Sequence, residues 1–243
     1  MYHYKAFGVE RYKSLDSGAQ MGNLPKISVI IPTIEEESVF PMIKKVRSLL
    51  GSETEIVIVD KSSSAYFMRL KRAGVKAIRQ RDSGVENAIM LGLKNASGEL
   101  LASIDADGTH ELEGLVKGIQ AVKSGKADMV LGNRLAGLSK GSMSPYLRFG
   151  NIVLTSLFDI VYRSGVHDVL TGLFVMRRDA FLKIRDVRPY RAGIAFFAIE
   201  LAKQGYTIGE VDIKYYPRKE GKSKLAKSKL MYGIGVASHI LFK

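Results

Sequence analysis

The feature that most constrains this chain is an alternation of two periods. Residues 26–32 (KISVIIP) and 55–60 (EIVIVD) are short β-branched apolar runs, and the segment between them, VFPMIKKVRSLL, spaces its apolar residues as a helix does. Unbroken apolar runs are what a strand needs when helices cover both faces of a parallel sheet. The order strand, helix, strand therefore predicts a βαβ unit. Further strands are predicted at 75–80 and over LLASID, a helix over 85–96, and a fifth strand over 127–134. The first 135 residues thus predict an open, mostly parallel α/β sheet flanked by helices.

In such sheets ligands gather outside the carboxyl ends of the strands. Glu35, Glu36 and Glu37 follow the first strand, Asp60 ends the second, and Asp105 and Asp107 follow the fourth in ASIDADGTH. A strand that simply closes in a polar turn also places Asp and Gly there, so this turn by itself reads as either a turn or a site. Carboxylates at i and i+2 can share a hard divalent cation such as Mg2+ or Mn2+ and leave coordination positions for phosphate oxygens. The other use of paired carboxylates, across a sugar in a glycosidase, needs a separation of roughly 5 Å or more, which one tight turn fits less well. No P-loop, GxGxxG, HExxH, GxSxG or zinc spacing occurs.

Charge narrows the partners. Thirty-seven Lys and Arg against 24 Asp and Glu give +13, which points to nucleic acid, an anionic membrane face or a phosphorylated substrate. With no RNP motif or helix-turn-helix pattern, a nucleic-acid partner is not expected. The chain has no Cys, so it has neither disulfides nor thiolate metal sites. No apolar run approaches the roughly 20 residues that span a bilayer, and the N-terminus carries charges where a signal peptide would be apolar. The expectation is a cytoplasmic protein, peripheral on the cytoplasmic face of a membrane.

The second half is less regular: a polar loop (AGLSKGSMSPY), a helix over 149–162, a strand at TGLFVMR, a helix near 196–204 and a strand near 208–214. Residues 214–243 then carry eight Lys or Arg against one Glu, a net +7, and include the apolar LMYGIGVASHILF. That tail reads as a solvated charged end, a segment lying in a membrane interface, or a helix packed on the domain. The expected organisation is an N-terminal extension over 1–26, one domain over 27–230 and a C-terminal apolar segment over 231–243.

Six ordered segments, SVIIPTIEEE, IVIVDKSSS, ASGELLASIDADGTH, LGNR, DVLTGLFVMRR and PRKEGKSKL, together resemble the family 2 glycosyltransferases of GT-A fold, nearest the branch that makes dolichyl- or polyprenyl-phosphate sugars. The resemblance covers residues 26–230 and implies a GT-A sheet, a nucleotide-sugar donor, a polyprenyl or dolichyl phosphate acceptor and a divalent metal, Mg2+ or Mn2+. It implies that Pro32, Glu35, Asp60 and Asp105 line the nucleotide site and that Asp105 and Asp107 hold the metal. Arg134, Arg148 and Arg218 then contact donor or acceptor phosphates, residues 218–224 form a loop over the site with Lys224 at its end, and Asp168 faces the reacting sugar and acceptor.

Two departures stand out. Members commonly carry a second Asp where this chain has Lys61, which presents donors where a carboxylate accepts. The Gly-rich stretch before the following helix is reduced to RDSGVENA, and no role is assigned to Arg81 or Asp82. The expected chemistry is a direct displacement with inversion: the acceptor phosphate is already anionic, so no strong base is needed, and Asp168 orients the acceptor. Transfer to a sugar hydroxyl, with Asp168 as base, is the alternative, as is nucleotide binding without catalysis if Lys61 alters the donor pocket. The processive polysaccharide synthases need a QxxRW signature, and this chain has no Trp.

Overall fold

The computed structural model describes residues 26–189, 192–218 and 229–242. Seven strands form one sheet in the order β3-β2-β1-β4-β6-β5-β7. The predicted βαβ start is present as β1 (Ile27–Thr33), α1 (Val39–Leu50) and β2 (Glu55–Asp60), continuing through α2 (Ser64–Arg72), β3 (Lys76–Arg79), α3 (Val85–Asn95) and β4 (Leu100–Ser103). These four strands are parallel, with β1 between β2 and β4. Their alternation decides the layers: Val29 and Ile31 face α1, while Ile30 faces α3, and all three are fully buried.

The second half breaks the parallel rule. After α4 (Glu113–Lys123) come β5 (Met129–Leu138), α5 (Pro145–Tyr162), β6 (Phe174–Arg177), α6 (Arg178–Ile184), a 3-10 turn at Gly193–Ala195, α7 (Phe196–Lys203), β7 (Ile208–Tyr215) and α8 (Lys229–Leu241). β6 runs antiparallel between β4 and β5, and β7 pairs parallel with β5. The last helix begins before the boundary expected at residue 231 and buries Val236 and Ile240 in the core. The C-terminal apolar segment is thus part of the domain, joined to it by Tyr162 Oη donating to the Ile240 carbonyl (2.9 Å).

Three helices lie where no helix was predicted: α2, α4 and α6. In α2 only Tyr66 and Leu70 are buried, so its period is weak, and its start is marked by Ser63, whose side chain caps Tyr66 N. α4 contains Gly114 and Gly118, poor helix formers. At Gly118 a Cβ would stand 2.8 Å from Val175, so close packing on the sheet excludes a larger residue.

Sheet order also creates the crevice. β1 and β4 pair only as far as Ile30 and Ser103, with Ile104 N reaching Ile30 O (3.1 Å); beyond that the two chains part toward α1 and α4. Crossovers leave in opposite directions here, which defines a topological switch point. Pro32 sits just past the last β4 partner, where its missing N–H costs no ladder bond.

Candidate active site

The three glutamates after β1 diverge. Glu35 adopts a left-handed backbone (φ 46°), donates its N–H to Ser62 Oγ (2.6 Å) and accepts from Ser63 N (3.1 Å), so it ties β1 to the turn after β2. Glu36 turns toward the crevice, its Oε2 4.0 Å from Arg218 Nη1, while its carbonyl takes a hydrogen bond from Tyr66 Oη (2.6 Å). Glu37 points outward into a two-pronged pair with Arg69 (2.7 Å each).

Asp60 is fully buried beneath its own partners. Arg79 Nη1 donates to Oδ2 (2.8 Å), and Ser62 donates to Oδ1 through its N–H (3.1 Å) and its hydroxyl. Arg79 also lies over the Phe67 ring at 4.1 Å, which leaves the guanidinium as the group nearer solvent. Sequence reasoning missed Arg79, although it ends β3 directly opposite Asp60 in the register. Lys61 turns away from this pocket: its Nζ donates to the Asp82 carbonyl (3.2 Å) and Ser83 Oγ (2.8 Å), bracing the loop before α3. The lysine that departs from the family pattern is therefore a strut for that loop.

Asp105 and Asp107 stand where β4 leaves the sheet. Burial, and next the charge of Asp107, push the Asp105 carboxyl up to about 6, against the pull of Arg134 and Arg218. Burial opposes the charge of Asp107 too, but Thr109 donates its hydroxyl (2.7 Å) and N–H (3.1 Å), and Arg218 Nη2 lies 2.5 Å from Oδ2, so its carboxyl is held below the usual range. Gly172 backs Asp105: a Cβ there would run into the Asp105 carboxylate, so glycine lets the loop before β6 approach it. His110 is buried with its ring edge-on to Tyr215 (5.1 Å), and burial, then the charge of Arg134, lower it to about 4. It is neutral at physiological pH, and its Nε2 meets no partner among the described residues.

Behind the aspartates lies a buried ion pair. Asp168 Oδ2 accepts from Arg134 Nε (2.7 Å) and Arg134 N (3.0 Å); Oδ1 accepts from Arg134 Nη2 (2.9 Å) and Asn151 Nδ2 (2.8 Å). Four donors occupy the four lone-pair directions of a carboxylate. Burial opposes both charges, yet each partner holds the other ionised: Asp168 is pulled below its ordinary range and Arg134 raised above its own. The expectation that Asp168 faces the reacting sugar and acceptor is not met in this arrangement: it has no solvent exposure, and no lone pair remains for an acceptor. Asn151, on α5, was not anticipated, since nothing in its local sequence distinguishes it.

The structure thus brings Glu36, Asp105, Asp107, Arg134, Arg218 and Asp168 to one end of the sheet, with Glu35 and Asp60 beside them across the β1–β2 edge. Arg148 is not among them; it is exposed on the first turn of α5 and makes no side-chain hydrogen bond or ion pair with those residues. Lys224, and with it most of the loop at 218–224, lies outside the described residues. Among the described residues no three His, Asp or Glu side chains form a closed metal cage. Asp105 and Asp107 suit an oxygen-preferring divalent cation that takes its remaining ligands elsewhere, and the glycine behind them leaves that side to the carboxylates.

A switch-point crevice with acidic strand ends and two arginines beside them lies on a mostly parallel seven-stranded sheet of GT-A type. The chain belongs to glycosyl transferase family 2, whose profile matches residues 28–185. It is 31% identical over 207 residues to a low-salt glycan biosynthesis hexosyltransferase of Haloferax volcanii, covering 83% of this chain and 50% of that protein. It is also 31% identical over 221 residues to the dolichol-phosphate mannosyltransferase of Pyrococcus furiosus, covering 82% of this chain and 59% of the relative. The chain therefore spans only about half to three-fifths of the length of these two relatives. Among solved structures, glucosyl-3-phosphoglycerate synthase from Mycobacterium tuberculosis, in complex with Mn2+, uridine-diphosphate and phosphoglyceric acid, superimposes with a TM-score of 0.70 at 16% identity, over 95% of this chain and 84% of that one. At that identity the likeness speaks for the fold.

Proposed function

We propose that this protein transfers one hexose from a nucleotide-diphosphate sugar, of the GDP-mannose or UDP-glucose type, to a polyprenyl or dolichyl phosphate at the cytoplasmic face of a membrane. The observation that carries the reading is the meeting of Asp105 and Asp107 with Arg134 and Arg218 at the mouth of the crevice. Asp60 with Arg79, Glu35 and Pro32 line the nucleoside side. Asp105 and Asp107 hold Mg2+ or Mn2+, which when bound neutralises charge building on the leaving diphosphate. Arg218 and Arg134 add fixed positive charge on the same side, where it is worth more than in water.

An oxygen of the acceptor phosphate forms the new bond to the anomeric carbon as the carbon–oxygen bond to the diphosphate breaks. The electron pair leaves with the nucleotide diphosphate, and the anomeric centre inverts. Because the acceptor arrives as an anion, no side chain has to take a proton from it. Asp168 is a positioning residue, fixing the guanidinium of Arg134. A sugar hydroxyl as acceptor is disfavoured, because its proton would need a base and Asp168 already accepts four hydrogen bonds.

The test is incubation with Mn2+ or Mg2+, radiolabelled GDP- and UDP-sugars, and a short-chain polyprenyl phosphate, followed by counting label in the organic phase. Metal-dependent labelling that disappears in Asp107→Ala is expected. A donor that binds with metal yet labels no lipid would remove the lipid-phosphate assignment.

A further inference from the structure

α5 is built inside out. Its inward face carries Asn151 and Thr155 as well as Phe158, and the two polar residues hold the loop that bears the buried pair: Asn151 on Asp168, and Thr155 Oγ1 accepting from Val169 N (3.1 Å). Its outward face carries Phe149 and Ile160, 68% and 74% exposed. A helix on the surface of a water-soluble domain shows the opposite polarity. Of the sixteen large apolar side chains left exposed among the described residues, seven lie on α5 and five on α8 and the residue that follows it. The two helices pack side by side, with Leu154 Cδ1 3.9 Å from where a Cβ of Gly233 would stand, so their outer faces adjoin. Together they form an apolar patch of the kind that marks an interaction site.

Charge identifies what covers it. Arg148 and Arg163 bracket the outer face of α5, and the exposed positions between them, from Phe149 to Val161, carry no charge. Tyr146 and Phe149 lie beside Arg148 at one end, the aromatic and cationic pairing found at a membrane–water interface. The chain as a whole is +13, and residues 214–243, which include α8, are +7. A second copy meeting this face across a two-fold axis would set the same arginines against one another. An anionic headgroup layer attracts them.

We propose that α5 and α8 are the surface by which this protein lies on an anionic lipid bilayer, with the outer face of α5 in the interface and Arg148 against headgroup phosphates. This deepens the reading of a lipid-phosphate acceptor and rests on it for the acceptor's location. No described helix is long and apolar enough to cross a membrane, so the contact is a helix lying in the interface. The same helix that touches lipid on one side holds Asp168 on the other.

The chain has no cysteine, so a single introduced thiol takes an environment-sensitive fluorophore at one position only. Ile160→Cys and, as a control on α2, Met68→Cys are labelled in the full chain and titrated with vesicles of phosphatidylglycerol and phosphatidylcholine. The expected result is a blue shift at position 160 and none at 68. Phe149→Ser with Ile160→Ser, both at exposed positions, is expected to weaken partitioning roughly tenfold or more and to leave transfer to a water-soluble short-chain polyprenyl phosphate unchanged. Equal shifts at both positions, no shift at either, or a label at 160 already shielded in buffer by a dimer seen in light scattering would each overturn the proposal. Transfer to the soluble acceptor without vesicle binding sinks this inference alone, and vesicle binding without transfer sinks the reaction alone.

Discussion

The two halves of the sheet treat charge in opposite ways. In the parallel half, Asp105 and Asp107 sit side by side at a strand end and repel each other, and burial adds to the cost of charging Asp105. In the mixed half, three donors of Arg134 and one of Asn151 fill the carboxylate of Asp168. At Asp105 the first arrangement costs stability; the second holds the fold, and its carboxylate has no lone pair left for a ligand. On the proposed reading the strand-end aspartates are the working edge of this molecule, and the saturated Asp168 carboxylate is its support.

That contrast yields separable outcomes. The largest expected effect is Asp105→Ala, which should lower transfer by roughly 10³-fold or more with no loss of thermal stability, checked by turnover and a melting curve on the same samples. Loss of stability with activity kept would reverse the comparison. Next, Asp168→Ala leaves the Arg134 guanidinium buried and unpaired, and breaking such a pair costs about 3–5 kcal/mol. In urea titration this variant should show that loss, while Arg134→Met with Asp168→Leu should recover much of it; a single variant as stable as the parent would mean the pair is not the support described.

Smaller effects sharpen the picture. Asn151→Ala removes one hydrogen bond to a buried charge, worth about 1.5–3 kcal/mol, and should lower the urea midpoint without changing the slope. Lys61→Ala cuts an exposed strut, so it should change stability by less than about 1 kcal/mol while raising hydrogen exchange in the 81–84 loop. Unchanged exchange there would show that the loop holds itself. Last comes Glu200, where burial opposes the charge but His239 and Lys203 outweigh it and hold the carboxyl below its usual range. A depressed folded value means that this contribution is present above the unfolded pKa and is lost as pH falls below it. Melting temperature should therefore fall less steeply with acid, below about pH 4.5, in Glu200→Gln than in the parent.

How much of this was legible follows from the same division. Ile27–Thr33 and Glu55–Asp60 announced themselves because strands buried on both faces must be apolar throughout, and their carboxylates stood at strand ends where the chain itself points. Asp105 and Asp107 needed only two residues of context. Arg79 was invisible because its partner lies 19 residues away and is reached only through the register of β3. Asn151 looked like any polar residue in an apolar helix, and its role depends on a tertiary contact 17 positions distant. The antiparallel β6 could not be told from a parallel strand, since FVMR reads the same in either direction. α4 was hidden by glycines placed for the sheet beneath them.

The saturated pair has a kinetic corollary. With Asp168 drawn below the ordinary carboxylate range and Arg134 raised above its own, neither partner changes protonation as the medium moves from mildly acidic to mildly alkaline. The Arg134–Asp168 pair is electrically constant over that span. A pH–rate profile is therefore expected to take none of its inflections from this pair.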